Sequence, residues 1–449
     1  MKKTWLGAAA DVKRGEWSFA VTMAAMFFLV ITTFWILKPL KKSFFIQFYD
    51  QAGFAFLGTT LDAAQAELCA KILNMVVAAV AVVVFGALSR TLRREWLALA
   101  FTGFFLAGDA LFATLLSSPG AATVWSFYLY GDLFSTLMVA SFFAFLNDSV
   151  SRDAAKRLYG LVGAGGVAGG VVGSVILATW IDQIEPFYWM GVCMALGVLI
   201  ATAAAAAGRF SGRLPEESRA RREHDASAAD AIERSALAGA RLTFRSRYLI
   251  SVAAMVAIYE VVSAVMDFQF SSAVQHFLDG DAIGAHFSLV YAITNSAALV
   301  VQLFLTSLVM TRWGVGAALL VLPATAISGS ALFLALPTLW TGSLLNTADG
   351  AFAYSIQQSA KESLYVPTTT AEKYQAKAFI DMWVQRFAKA MAVLLSLGIT
   401  VVFQDFAMVR WLSLGILALL LVWIPAARYA GRGFDRFEEV AASDGSPAR

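Results

Sequence analysis

"GRFSGRLPEESRARREHDASAADAIERSALAGARLTFRS", residues 208–246, is the one long hydrophilic stretch in an otherwise apolar chain. The chain has 449 residues, of which 59% are hydrophobic and 14% charged, and its mean hydropathy is +0.68. Soluble domains carry about a quarter charged residues, so the sequence on both sides of this stretch reads as membrane. About 20 mostly apolar residues suffice to span a bilayer. Runs of that kind fall near 17–46, 66–88, 96–117, 122–147, 158–180 and 187–207 before it, and near 247–270, 283–310, 314–336, 338–364, 375–402 and 408–428 after it. The stretch therefore divides six spans from six.

Charge placement gives the orientation. With both termini and 208–246 on the cytoplasmic side, that side collects Arg90, Arg93, Arg94 and the arginines from Arg209 to Arg247. The opposite side keeps Arg410 alone and is acidic, with Asp50, Asp62, Asp182, Glu185, Asp279, Asp281 and Asp405. Such asymmetry is the positive-inside pattern. The first apolar run is longer than the ~7–15 residues of a signal h-region and no small-residue cleavage site follows, so it reads as a retained helix. The expected organisation is a six-helix bundle over 1–207, a basic cytoplasmic linker over 208–246, a second six-helix bundle over 247–428 and a cytoplasmic tail over 429–449. An all-α membrane protein of twelve transmembrane helices in 6+6 arrangement is the pseudo-symmetric architecture of a major-facilitator carrier, which works by alternating access.

Several function classes drop out. No P-loop or kinase signature appears, which favours a secondary carrier over a pump, and no nucleophile–base pair suggests an enzyme. Cys69 and Cys193 lie in apolar stretches and read as core, while His224, His276 and His286 are scattered, so neither a disulfide framework, a metal site nor a cofactor is expected. The glycine-rich run "LYGLVGAGGVAGGVVGS" (158–174) lies within a span and follows no strand, so a dinucleotide site is rejected. Gly166/Gly170 and Gly169/Gly173 are expected to be small-xxx-small pairs that let two helices approach closely.

Ionisable residues inside spans are functional candidates by default. They are Lys38, Lys41 and Lys42 in helix 1, Lys71 in helix 2, Asp132 in helix 4, Glu260 and Asp267 in helix 7, Asp349, Lys361 and Glu362 in helix 10, and Asp381, Arg386 and Lys389 in helix 11. Spacings of three, four and seven put the three helix 1 lysines on one face and Glu260 with Asp267 on another. Pro39 is expected to bend helix 1 beside the lysines. Tyr354, Gln357, Gln358, Lys361 and Tyr365 form a polar stripe. Cations and amides on several walls suit a small-molecule anion, expected to be bound from both bundles. The plainer expectations are snorkelling for the helix 1 lysines, a structural lysine partner for Glu260, a gate pair for Lys361 and Glu362, intrahelical pairing of Asp381 with Arg386 and Lys389, and an intrahelical Glu67–Lys71 pair.

Three stretches carry a resemblance. "YSIQQSAKESLYVPTTTAEKYQAKAFID" (354–381) resembles the helix 10–11 signature of the nucleotide (ATP/ADP) translocases of plastids and intracellular bacterial parasites and of their free-living bacterial relatives, through Lys361, Glu362, Tyr365, Pro367, Lys373, Lys377 and Asp381. "LNDSVSRDAAKRLYGLVGAGG" (146–166) is similar to that family's loop between helices 4 and 5, with Asn147, Asp153, Ala155, Lys156, Arg157, Tyr159 and Gly163 in place. "ILKPLKKSFF" (36–45) resembles its helix 1 pattern. The resemblance implies ATP/ADP-type exchange across a bacterial inner membrane, with Lys41, Glu260 and Lys361 as the exchange residues. It implies no cofactor, no nucleic-acid partner and no obligate protein partner.

Two positions depart from the family pattern. Lys42 replaces the Asp after the helix 1 lysine, and Tyr128 in "YLYGD" replaces an acidic residue, although Asp132 lies one turn away. "YEVVSAVMDFQF" (259–270) is closer to the free-living relatives. The substrate-site residues expected are therefore Lys38, Lys41, Lys42, Tyr128, Asp132, Glu260, Asp267, Gln357, Gln358, Lys361 and Glu362. Alternative expectations are a proton-coupled carrier of another organic anion, with Glu260 or Asp267 as the proton site, and a membrane receptor or scaffold that does not transport.

Overall fold

A computed structural model of the chain describes residues 14–56, 58–150, 152–211, 239–368, 372–402 and 405–443. The central part of the linker, His224 included, lies outside these residues, as do the side chains of Asp153, Ala155, Lys156, Arg157 and Lys373.

The helices are α1 (Trp17–Asp50), α2 (Ala63–Thr91), α3 (Arg94–Leu115), α4 (Ala121–Ser149), α5 (Arg152–Trp180), α6 (Pro186–Ser211) and α7 (Arg247–Phe277). They continue with α8 (Asp281–Arg312), which passes through a π turn at Val301–Thr306, α9 (Gly314–Ala335), and two further segmented helices, α10 and α11. Helix α10 joins Leu339–Phe352, a π turn at Ala353–Gln357, and Gln358–Ser363. Helix α11 opens on π turns at Glu372–Ala376 and Ile380–Val384 around Lys377–Phe379, then runs regularly over Gln385–Val402. Helix α12 (Leu412–Ser443) ends the described chain. Ten of these spans are long and apolar enough to cross a membrane. The other two expected spans are α10 and α11, whose charges and π turns interrupt the apolar run. A short antiparallel pair, β1 (Phe54–Phe56) with β2 (Thr59–Leu61), follows α1. Its three-residue strands are too short to give the sequence a readable alternation.

In lipid every backbone polar group must find its partner within the segment, and the hydroxyls of these helices follow the same rule. Thr32, Thr33 and Ser43 in α1 donate to the carbonyls of Phe28, Leu29 and Pro39 one turn back, at 2.7, 2.9 and 2.8 Å. Helix α1 runs unbroken through Pro39. Its 34 residues make it about 50 Å long, more than the ~30 Å hydrocarbon core. Helix α2 presents Val76, Val80 and Val83 at 59%, 59% and 72% exposure, a face that only lipid would leave uncovered at so little cost.

Two compact units divide the chain. The first comprises α1, α2 from Leu73 onward, α3 to α6, and residues 280–292. The second comprises residues 52–72, α7, α8 from Ile293, and α9 to α12. In the first unit α1 lies against α5. A Cβ on Gly165, Gly169 or Gly173 would strike the backbone of Ala24, Phe28 or Thr32 respectively. At this close approach the Thr32 hydroxyl reaches the Gly169 carbonyl at 3.3 Å. Gly166 and Gly170 instead meet the Phe27 and Trp35 rings. The close-packing ridge is thus 165/169/173: it includes the expected Gly169/Gly173 pair and adds Gly165, while Gly166/Gly170 meets side chains, because backbone contact follows a single i, i+4, i+8 row.

Candidate functional site

Within the first unit, the short segment of α1 around Pro39 carries the three lysines. Lys41 and Lys42 are only 5% and 4% exposed, which removes the snorkelling reading for both. Lys41 forms an ion pair with Asp132 of α4, and its Nζ lies 4.0 Å from the centre of the Tyr128 ring. Gly131 makes this possible. A Cβ there would come within 2.7 Å of the Lys41 Cδ, so its absence lets the lysine stem cross α4 to reach both neighbours. Tyr128 and Asp132, four residues apart, form one seat for one cation.

The other two lysines fan away from Lys41. Lys38 sits over Trp35 at 4.5 Å and over Tyr291 of α8 at 5.2 Å. Lys42 sits over Phe287 of α8 at 5.1 Å. The i, i+3, i+4 spacing gives a shared side of α1, and the tertiary packing splits it between α4 and the start of α8. All three ammonium groups keep an aromatic face, a geometry in which cation–π attraction offsets part of the desolvation cost.

Within the second unit the carboxylates take partners the sequence does not pair. Glu260 is buried and accepts from Gln385 Nε2 of α11 at 2.6 Å. Asp267, seven residues on, is engaged elsewhere. Lys71 of α2 lies 2.6 Å from Asp267 and 3.2 Å from Glu67, and Ser271 donates to Glu67 at 3.0 Å. The expected Glu67–Lys71 pair is therefore present but forms part of a triad. Lys361 of α10 lies 3.4 Å from Asp381 of α11, while Glu362 pairs with Lys377 and receives Gln358 Nε2 at 3.4 Å. Asp381 does not pair along its own helix with Arg386 or Lys389. Those two lie five and eight residues on, outside the i, i+3 and i, i+4 spacing at which helical side chains meet, and Asp381 turns to Lys361 instead.

The polar stripe of α10 is also broken. Gln357 and Tyr365 are buried, Tyr354 and Gln358 are exposed, and Lys361 lies between these extremes. The π turn at Ala353–Gln357 adds a residue and resets the face. Gln357 Oε1 is buried with no hydrogen-bond donor among the described residues. Asp349 accepts from Ser263 at 2.7 Å. No group of three or more His, Cys, Asp or Glu gathers in metal-binding fashion among the described residues.

A buried acid of α3 is absent from the residues the sequence singled out. Asp109 of α3 is 2% exposed, and Tyr130 of α4 donates to it at 2.7 Å, sharing the same hydroxyl with the Phe105 carbonyl at 2.7 Å. A lone Asp in "FFLAGDALF" (104–112) was the available signal. Replacing Tyr130 with Phe is expected to destabilise the protein by about 1–3 kcal/mol, since a buried carboxyl loses its donor. An unchanged thermal unfolding midpoint would refute this role.

Comparisons with known proteins agree with one another. Residues 119–345 and 334–434 match the TLC ATP/ADP transporter family. ADP,ATP carrier protein 2 of Chlamydia trachomatis serovar D is 23% identical over 478 residues, covering 87% of each chain. ADP,ATP carrier protein 2 of Chlamydia pneumoniae is 23% identical over 214 residues, covering 42% of this chain and 39% of its own. Among solved structures, the nucleoside transporter NupG superposes with a TM-score of 0.57 at 13% identity, over 95% of this chain and 99% of its own. The last likeness bears on fold alone, and that fold is of the major-facilitator type.

Proposed function

The chain belongs to the TLC ATP/ADP transporter family, and from that membership we propose that it exchanges adenine nucleotides across a bacterial inner membrane, with both termini cytoplasmic and without enzymatic chemistry. The observation that carries this reading is the pair Lys41 and Lys42, 5% and 4% exposed in the middle of an apolar helix. Cations are kept there only at a cost, which a polyanionic substrate repays. Triphosphate and diphosphate oxygens accept strong charge-assisted hydrogen bonds from ammonium groups. Within the first unit the proposed donors are Lys38, Lys41 and Lys42; within the second, taken by itself, the proposed donor is Lys361.

Each proposed donor faces an internal anion or an aromatic ring. Asp132 holds Lys41, Asp381 holds Lys361, and Tyr128, Trp35 and Phe287 cover the ammonium groups. These contacts offset part of the positive charge within each unit. Phosphate binding replaces them. Glu260, Gln357, Gln358, Glu362 and Asp267 supply polar contacts that are remade in the process, Asp267 at one remove through Lys71.

Proteoliposomes preloaded with ADP test exchange directly. Labelled ATP uptake is expected to exceed that of empty vesicles severalfold. Equal uptake in both overturns the exchange reading, and uptake driven in empty vesicles by an imposed pH gradient would favour proton coupling. The purified protein is also expected to be stabilised by ATP or ADP by about 2.7 kcal/mol at a hundred times Kd, read as a rise in unfolding temperature.

A further inference from the structure

Resting on the nucleotide reading above, we propose that Lys389 of α11 is a further ligand of the substrate phosphates, the cation that lets a phosphate approach Lys361 past the negative charge of Glu260. The segment Gln385–Val402 is regular α-helix, so residues four apart share a face. Gln385 donates to Glu260 at 2.6 Å, and Lys389 therefore follows one turn on, along the side of α11 that meets Glu260.

The other lysines of this unit with described side chains are engaged. Lys71 is held by Glu67 and Asp267, Lys361 by Asp381, and Lys377 by Glu362. Lys389 makes no hydrogen bond or ion pair among the described residues, and its side chain is exposed. Lys389 stands one turn from the glutamine that holds Glu260, with no hydrogen bond or ion pair among the described residues, and is available to an anion. Its cost is offset only when an anion arrives. A phosphate drawn to Lys361 also meets the repulsion of Glu260, and a cation beside Glu260 cancels it. Arg386 is turned about 100° from Gln385 around the same helix, so it shares the exposure of Lys389 but not its face.

Equilibrium ATP binding and thermal unfolding of the full chain in detergent test the assignment. For K389Q the ligand-free unfolding temperature is expected to match wild type, while the Kd for ATP rises tenfold or more, the size of a lost hydrogen bond to a charged group. K389R is expected to restore most of the affinity, and R386Q to bind as wild type does. Unchanged ATP affinity in K389Q overturns the proposal while leaving the nucleotide reading intact. A ligand-free unfolding temperature that falls in K389Q also overturns it, since the residue would then be structural. Failure of wild type to bind either ATP or ADP overturns the nucleotide reading, and this assignment with it.

Discussion

Replacing Lys41 with Ala is expected to abolish ATP/ADP exchange and to cost about 3 kcal/mol of stability. The stability loss follows from Asp132, which would stay largely enclosed without its cation, and removing one partner of a buried pair is strongly destabilising. The loss of transport follows from the ammonium group itself, seated on Tyr128 at 4.0 Å and proposed to turn to phosphate. The double variant K41A/D132N separates the two effects. Neutralising Asp132 is expected to recover most of the stability and none of the exchange. If the double variant transports, Lys41 is a structural residue and the proposed phosphate site in the first unit is wrong. Unfolding of the detergent-solubilised protein and counterflow into ADP-loaded vesicles supply the two readouts.

A second large effect is expected from Gly169→Val. The added carbons would lie inside the Phe28 carbonyl on α1, and neither backbone can yield without parting the two helices. Overpacking of a rigid contact costs about 1–3 kcal/mol and occasionally more, and the top of that range is expected where the obstacle is backbone. The hydrogen bond from Thr32 to the Gly169 carbonyl would be lost as well. Gly163→Val in the same helix is the control, because nothing lies within 4 Å of a Cβ there. Similar unfolding temperatures for the two variants would show that the ridge does not hold α1 to α5.

Much of the fold was legible because lipid imposes a local rule. A segment either carries enough apolar residues to span or it does not, and α1 to α9 and α12 each contain most of an expected run, though α5 begins six residues earlier and α7 and α12 end seven and fifteen residues later. Helices α10 and α11 were found from the same pattern, but their π turns were not, since one inserted residue leaves no mark on hydropathy. The small-residue character of 158–174 was evident, yet choosing among its glycines required the backbone of α1.

The candidate site was legible by residue and not by arrangement. Lys41, Asp132, Glu260 and Lys361 stand out because charge within a span is rare. Asp109 meets the same criterion, since it lies within the expected span 96–117, and it belongs with them. The pairing of Asp381 with Lys361 instead of with its own helix, and of Asp267 with Lys71 instead of with Glu260's surroundings, could not be read from spacing.

By itself the sequence determined which segments cross the membrane, which residues carry charge into it, and which family the chain resembles. Hydropathy and motif identity are properties of neighbouring residues, so no fold is needed to read them. Only the tertiary structure decided which carboxylate holds which cation. Lys71 and Asp267 are 196 positions apart, and electrostatic attraction depends on distance in space, which sequence separation does not encode.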